Sequence, residues 1–229
     1  MGHIVALGGG GFSMEPDNPL LDDYVLGLSG RDHPKVGFVP TASGDSDEYV
    51  ANFHEAFADR ARTDVVSLFE RDGRDLRALV LEQDVIYVGG GSTLNLLTLW
   101  RAHGLDVVLA EAREAGVVLA GVSAGALCWF EGGVTDSFGP LRALPDGLGF
   151  LAGSFCPHYD GEPGRPEAFR SAVAEGLPAG LAADDGAAAH FVDGALHAAV
   201  SSRPDAGLYR VERCGAQVLE TPLPTRPLG

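Results

Sequence analysis

Residues 116–126, with the sequence GVVLAGVSAGA, decide the fold of this chain. Their first half is short, apolar and rich in valine, which is typical of a buried strand. Their second half opens a predicted helix, so the pattern Gly121-x-Ser123-x-Gly125 lies where a strand becomes a helix. Glycines two residues to either side let strand and helix approach closely, and the tight turn strains the serine between them. We therefore predict a nucleophile elbow with Ser123 at its tip, although turns of small residues also serve packing alone in many α/β proteins.

Composition limits the classes of protein that the chain can belong to. Its 229 residues, 45% of them hydrophobic, suit one α/β domain with a full core. The net charge of −16 would repel nucleic acid and anionic membrane surfaces, so neither partner is expected. Three cysteines at unrelated spacings predict neither a disulfide framework nor a metal site. Without a basic leader or a long apolar run, the expected location is the cytoplasm.

Strands and helices alternate along the first half of the chain. The predicted strands before the elbow cover residues 3–7, 35–39, 64–69 and 84–88. This alternation predicts an α/β fold with a mostly parallel sheet, helices on both faces, and ligand sites beyond the carboxyl ends of the strands. Residues 131–149 are rich in glycine and proline and are predicted to form a loop. Short β-like segments from residue 180 predict a C-terminal β extension, with residues 1–220 as one domain and 221–229 as a flexible tail.

Two glycine-rich turns follow predicted strands at the same edge as the elbow. The first, residues 8–11, lacks the third glycine of the dinucleotide fingerprint, so a flexible loop is favoured over a nucleotide site. The second, residues 89–91, precedes a predicted helix. Hydrolysis of an acyl group needs two donors for the developing oxyanion, and the N–H of Ala124 supplies one. Gly90 and Gly91 are the best source of the other, because glycine lets the backbone come close to a reacting carbonyl.

A serine nucleophile also needs a base and a group that orients the base. Among the seven histidines, His158 is predicted to end a strand at the active edge, which makes it the candidate base. Asp136 is the leading orienting carboxylate, because it lies between the elbow and the histidine and gives the chain order Ser, Asp, His. Glu131 and Asp160 stay open as alternatives, since one helical turn or loop reversal would bring either near His158, and Glu162 is a further candidate.

Four short motifs follow one another in a characteristic order. They are GGGST at 89–93, the elbow at 121–126, Thr135-Asp136, and CPHY at 156–159. In this order they resemble peptidase E, the aspartyl dipeptidase family that also includes cyanophycinase, over most of the chain. The resemblance implies a flavodoxin-like sheet related to the class I glutamine amidotransferases, with serine replacing cysteine as the nucleophile.

The resemblance also implies roles for individual residues. Ser123 would be the nucleophile, His158 the base and Asp136 its orienter, with the N–H groups of Gly91 and Ala124 as the oxyanion hole. Gly90 and Ser92 would bind substrate, and no metal or organic cofactor is implied. Ser92 stands where peptidase E proper has asparagine, which leaves a preference for aspartate open. The candidate partners of a substrate aspartate are Arg142, Arg165 and Arg170.

The leading hypothesis is a cytoplasmic serine dipeptidase that cleaves short peptides through an acyl-enzyme, with Asp-X substrates left open. A small peptide is its expected partner, and a homodimer is compatible with the sequence. An esterase of the α/β-hydrolase type is disfavoured, because His158 follows Ser123 too closely for that fold. A ligand-binding or regulatory protein on an amidotransferase-like scaffold is the alternative outside catalysis. Labelling of Ser123 by a fluorophosphonate separates a hydrolase from this last class.

Overall fold

The computed structural model describes residues 2–229 and contains, in that range, fourteen strands and seven α-helices. The strands are β1 (His3–Leu7), β2 (Lys35–Val39), β3 (Arg62–Val65), β4 (Val85–Val88), β5 (Val118–Val122), β6 (Phe130–Thr135), β7 (Arg142–Leu144), β8 (Leu151–Cys156), β9 (Gly180–Ala183), β10 (Ala187–Val192), β11 (Ala195–Ser201), β12 (Leu208–Cys214), β13 (Gln217–Leu223) and β14 (Arg226–Pro227). The helices are α1 (Leu20–Gly27), α2 (Asp47–Phe57), α3 (Leu76–Leu81), α4 (Thr93–His103), α5 (Leu105–Ala115), α6 (Ala124–Leu127) and α7 (Arg165–Glu175). No helix of this range is long and apolar enough to cross a membrane.

The larger sheet has eight strands in the order β14-β11-β10-β1-β5-β4-β2-β3. Its strands β1 to β5 run parallel, and β10 and β11 extend it by antiparallel pairing. Along the buried strand β5, Leu119 packs into one apolar cluster, whereas Val118 and Val122 pack into the other. Successive side chains thus point to opposite faces of the sheet, as expected for a strand that is covered on both faces. Helices α1 and α2 supply one cluster and α3 to α5 the other, which confirms the predicted fold class.

A second sheet of six strands, β13-β12-β9-β8-β6-β7, is built from the later part of the chain. Helix α7 packs on it through a separate apolar cluster that includes Phe169 and Val173. The predicted loop at 131–149 is wrong here, because this segment contributes most of β6 and all of β7. Gly133 is required inside β6, since a Cβ at that position would overlap the carbonyl oxygen of Phe155 on β8.

The chain end is paired with the rest of the protein. Residues 221–229, predicted to be a flexible tail, include the end of β13 and all of β14. Arg226 and Pro227 pair with Val200 and Ser201 of β11, and the N–H of Leu228 donates to the Ser201 carbonyl at 2.9 Å. The structure therefore differs from the prediction for this segment.

Candidate active site

Ser123 lies on a sharp turn between strand β5 and helix α6. Its backbone has φ 57° and ψ −116°, a positive-φ conformation that non-glycine residues rarely adopt. The flanking glycines are required by packing. A Cβ on Gly121 would overlap the carbonyl of Gly125, and a Cβ on Gly125 would overlap the carbonyl of Val88 on β4. The predicted strand-to-helix context of the elbow is thus present in the structure.

The end of β1 anchors both the serine and the histidine. The N–H of Ser123 donates to the carbonyl of Leu7 at 3.1 Å, and the N–H of His158 donates to the carbonyl of Gly8 at 3.2 Å. The carbonyls of the last residue of β1 and of the residue after it therefore hold Ser123 and His158 at the same edge of the sheet. Gly9 makes room for Asp185 and His158, since a Cβ there would overlap Asp185 Oδ1 and come within 2.9 Å of His158 Nδ1. The first glycine turn thus serves close packing at this edge.

His158 is 8% exposed, and its ring is held by a carboxylate. The Nδ1 of His158 lies 2.6 Å from Oδ1 of Asp185, which follows β9. Strands β8 and β9 are parallel neighbours, so their carboxyl ends bring the two residues together. The hydrogen bond to His158 holds the pKa of Asp185 below its usual value despite burial. Asp185 is therefore ionised at neutral pH, and it accepts a hydrogen bond from the N–H at Nδ1 of His158.

Among residues 2–229, none of the carboxylates predicted to orient His158 contacts its ring. Asp136 is 58% exposed at its side chain and lies 4.0 Å from Nη2 of Arg165. Glu131 projects from β6 and accepts the N–H of Gly153 at 2.7 Å. Asp160 is closer to the site, because its Oδ1 accepts the backbone N–H of Asp185 at 2.8 Å.

The turn between β9 and β10, which contains Asp185, is fixed by several contacts. Its neighbour Asp184 accepts the N–H of Gly207 at 2.9 Å and the hydroxyl of Tyr209 at 3.1 Å. Burial raises the pKa of the Asp184 carboxyl. Gly161 leaves room for the Asp185 carboxylate, which a Cβ at that position would overlap. The ring of His158 is thus positioned by a segment that is itself fixed.

The second glycine turn lies directly beside Ser123. A Cβ on Gly90 would be 3.2 Å from the Cβ of Ser123, so only glycine fits there without displacing the serine. The N–H of Gly90 is already used, since it donates to the Tyr49 hydroxyl at 3.2 Å. Within residues 2–229, no protein acceptor takes the N–H of Gly91 or of Ala124. Both donors are therefore available to a bound group.

An open cavity of about 540 Å³ adjoins the serine. Gly91, Ser92 and Asn95 line it together with Ser123, and the remaining lining residues are Asp136, Ser137, Glu162 and Arg165. Of the three arginines considered for a substrate aspartate, Arg165 is the one in this cavity. Arg142 instead lies over the ring of Phe138, and Arg170 pairs with Glu220 at 2.9 Å.

Among residues 2–229, no group of three or more His, Cys, Asp or Glu side chains is placed to hold a metal ion. Asp185 was missed because the carboxylates considered extended only to Glu162, four residues past the histidine. The usable signal was Asp184-Asp185-Gly186, an acidic turn after a predicted strand in the β extension.

Comparison with known proteins gives one family and close relatives. The model of Peptidase family S51 matches residues 4–199. A Bacillus subtilis (strain 168) protein named uncharacterized peptidase YgaJ is 54% identical over 234 residues, which covers 100% of both chains. A Streptomyces coelicolor protein named peptidase E is 35% identical over 133 residues, covering 57% of this chain and 54% of that protein.

A solved structure shows the same fold. The crystal structure of a peptidase from an acI-B1 Actinobacterium superposes with a TM-score of 0.69 over 97% of both chains, at 17% sequence identity. At that identity the likeness concerns the fold alone.

Proposed function

The chain belongs to peptidase family S51 and is a serine-type peptidase, and from this premise we propose that it hydrolyses short peptides through Ser123, His158 and Asp185. The membership confirms the resemblance to the peptidase E family. The observation that carries the assignment of residues is the 2.6 Å contact between His158 and Asp185. His158 is held at the end of β1, where Ser123 is also anchored.

Each residue has a defined part in the proposed reaction. Because a carboxylate only accepts, the proton of the neutral imidazole lies on Nδ1, and Nε2 is free to accept another. Nε2 of His158 takes the hydroxyl proton as Ser123 Oγ attacks the scissile carbonyl. The charge on the carbonyl oxygen is stabilised by the N–H groups of Gly91 and Ala124. The imidazolium then gives its proton to the leaving amine, and the acyl-enzyme forms.

Water completes the cycle by the same groups. His158 removes a proton from water, the resulting hydroxide attacks the acyl carbon, and the proton returns to Ser123 Oγ. Asp185 keeps the imidazole in the required tautomer and stabilises the imidazolium without taking up the proton. The open, polar cavity beside the serine has room for a short peptide, and we assign the dipeptidase activity of the peptidase E type to it. Three free cysteines are compatible with work in the cytoplasm.

Ser123→Ala tests this proposal. We expect hydrolysis of a dipeptide panel to fall by a factor of about a thousand or more, as removal of a triad member does elsewhere. Fluorophosphonate labelling should also be lost, whereas the melting temperature should stay within a few degrees of wild type, because one hydroxyl at the turn is removed. Residual activity within about tenfold of wild type would end the assignment of Ser123 as nucleophile.

A further inference from the structure

The turn that carries Asp185 is held between two segments of the chain. The N–H of Gly186 donates to the carbonyl of Gly9, after β1, at 3.1 Å. The carbonyl of Gly186 accepts the N–H of Ser202, in the connection between β11 and β12, at 2.8 Å. The position of the Asp185 carboxylate therefore depends on how these two segments are held together.

An ion pair joins the same two segments. Arg203 Nε donates to Glu15 Oε1, and the hydroxyl of Ser202 donates to Glu15 Oε2 at 2.9 Å. Glu15 precedes α1, and its side chain is 11% exposed. The side chain of Arg203 packs on Gly186, because a Cβ there would lie 3.0 Å from Cγ and 3.1 Å from Nε of the arginine. Arg203 thus contacts the turn next to Asp185 and is fixed there by a nearly buried carboxylate.

Several charged side chains surround Asp185 and the imidazole that it bonds. They are Asp184 in the turn, Asp160 and Glu162 after β8, Arg165 at the start of α7, and Arg203 with Glu15. Arg165 pairs with Glu162 at 2.6 Å, so its charge is offset. The carboxyl groups of Asp160 and Asp184 remain beside Asp185, and a neighbouring cation offsets their repulsion.

Arg203 supplies a positive charge at this place. Beside the hydrogen bond from His158, the charge of Arg203 holds the pKa of Asp185 below its usual value. The pKa of Arg203 is itself raised, first by its hydrogen bond to Glu15 and further by nearby carboxylates that include Asp185. Neither Arg203 nor Glu15 lines the cavity beside the nucleophile, so an effect on catalysis passes through Asp185.

We propose that Arg203, held by Glu15, is a positioning residue for catalysis: it fixes the turn that carries Asp185 and places a positive charge beside that carboxylate. This cation limits how strongly the surrounding carboxylates stabilise the imidazolium of His158, which keeps the imidazole available as a base. The proposal rests on the proposed reaction of Ser123 and adds to it a group that does not line the substrate cavity.

The acid limb of the pH profile of kcat/KM tests the charge of Arg203, because this limb reports the ionisation of the free enzyme's essential base. Arg203→Gln removes a cation beside the imidazolium and should move the limb to higher pH by about 0.5 pH unit, a shift that about 1 M salt should reduce. Glu15→Gln keeps the shape and removes an anion, so it should move the limb to lower pH. Arg203→Lys keeps the charge and should leave the limb within about 0.2 pH unit of wild type.

Arg77→Gln is the control, because Arg77 also pairs with a glutamate, Glu111, at 2.5 Å. That pair joins α3 to α5, so the control should leave the limb in place. Substitutions that only loosened the turn would lower kcat without moving the limb in opposite directions. The proposal is overturned if Arg203→Gln and Glu15→Gln shift the limb the same way, or if neither shifts it. Melting temperatures are measured alongside, and should Arg203→Gln not fold, an unmoved limb in the nearly isosteric Glu15→Gln contradicts the proposal.

Titration of His158 in Ser123→Ala separates failure of this inference from failure of the proposed function. The imidazole is followed by NMR against pH, which requires no hydrolysis. If the wild-type protein cleaves no peptide while Arg203→Gln and Glu15→Gln still move this titration in opposite directions, the peptidase mechanism fails and the role of Arg203 stands. If Ser123-dependent cleavage occurs and neither the titration nor the acid limb responds to either substitution, the positioning role fails alone.

Discussion

Nearly isosteric substitutions of Asp185 and Asp136 are predicted to have different effects on kcat. Asp185→Asn keeps the shape but places an amide against Nδ1 of His158, 2.6 Å away, and so disturbs the tautomer and the imidazolium. We expect kcat to fall by about a thousandfold or more, whereas Asp136→Asn should change kcat for Ala-Ala by less than about tenfold. Steady-state kinetics on both variants check this. A crippled Asp136→Asn beside a mild Asp185→Asn would restore the carboxylate favoured by chain order.

Sequence reasoning singled out Ser123 and His158 as candidates because each is marked by its neighbours. The small residues around Ser123 are required by packing, and Pro157 ends the strand before His158. Asp185 is marked only by the acidic turn Asp184-Asp185-Gly186, which does not indicate its partner. It becomes adjacent to His158 only through the parallel pairing of β8 with β9, a contact over 27 residues that no local pattern reveals.

At the scale of elements, the strand-to-helix turn fixes how closely β4, β5 and α6 pack. Gly125→Ala would push a methyl group into the carbonyl of Val88, so we expect a loss of about 2 kcal/mol or more in the free energy of unfolding. Gly27→Ala is the matched control, because its Cβ would meet nothing within 4 Å and the residue is helical. That variant should gain about 0.5–1 kcal/mol. Denaturant titration of both decides the matter; equal stabilities would contradict the packing argument.

Helix α2 positions the second glycine turn through Tyr49. The Tyr49 hydroxyl accepts the N–H of Gly90 at 3.2 Å, and its ring packs on Phe38 with centroids 5.1 Å apart. Tyr49→Phe keeps the ring and frees the turn, so we expect kcat to fall by about tenfold with KM nearly unchanged. Tyr24→Phe is the control, since Tyr24 bonds His190 at 2.8 Å and does not line the cavity. A rise in KM alone would instead assign Tyr49 to substrate binding.

Element prediction failed where packing overrides propensity. Gly132 and Gly133 lie inside β6. Because glycine is depleted in strands, the local sequence pattern favours a loop. Both are required by neighbours distant in sequence: a Cβ on Gly132 would overlap the carbonyl of Leu144, and one on Gly133 that of Phe155. Strands that a regular apolar pattern marks, such as β1 and β2, were predicted with their observed bounds.

At the scale of the whole molecule, one buried acid makes stability depend on pH. Asp22 is 1% exposed and accepts the hydroxyl of Tyr87 at 3.1 Å, and burial raises its pKa from 3.8 to about 7. The folded state thus binds this proton more tightly than the unfolded chain does. The protonated carboxyl of Asp22 therefore adds to the free energy of unfolding below about pH 4, and this stabilisation is lost as the pH rises to about 7.

Asp22→Asn should remove this dependence, because the amide keeps the shape and an acceptor for Tyr87. The stability of the variant relative to wild type should rise between about pH 4 and pH 7, by up to about 4 kcal/mol. Thermal unfolding at several pH values measures the difference. Parallel curves for the two proteins would show that Asp22 does not titrate in this range.

The division into two sheets has a consequence for variation far from the chemistry. Ser123 ends a strand of the larger sheet, whereas His158 follows a strand of the other, and the ring of Phe130 on β6 lies 5.7 Å from that of Phe191 on β10, across the two. A displacement of one sheet against the other by about 1 Å would strain the hydrogen bond that ties His158 to Gly8 after β1. A misplacement of that size between catalytic groups costs about a hundredfold in rate. Side chains at the contact between the sheets, such as Phe130, therefore help to set the relative position of Ser123 and His158. A substitution of Phe130 that slows catalysis would leave each sheet folded and shift one sheet against the other.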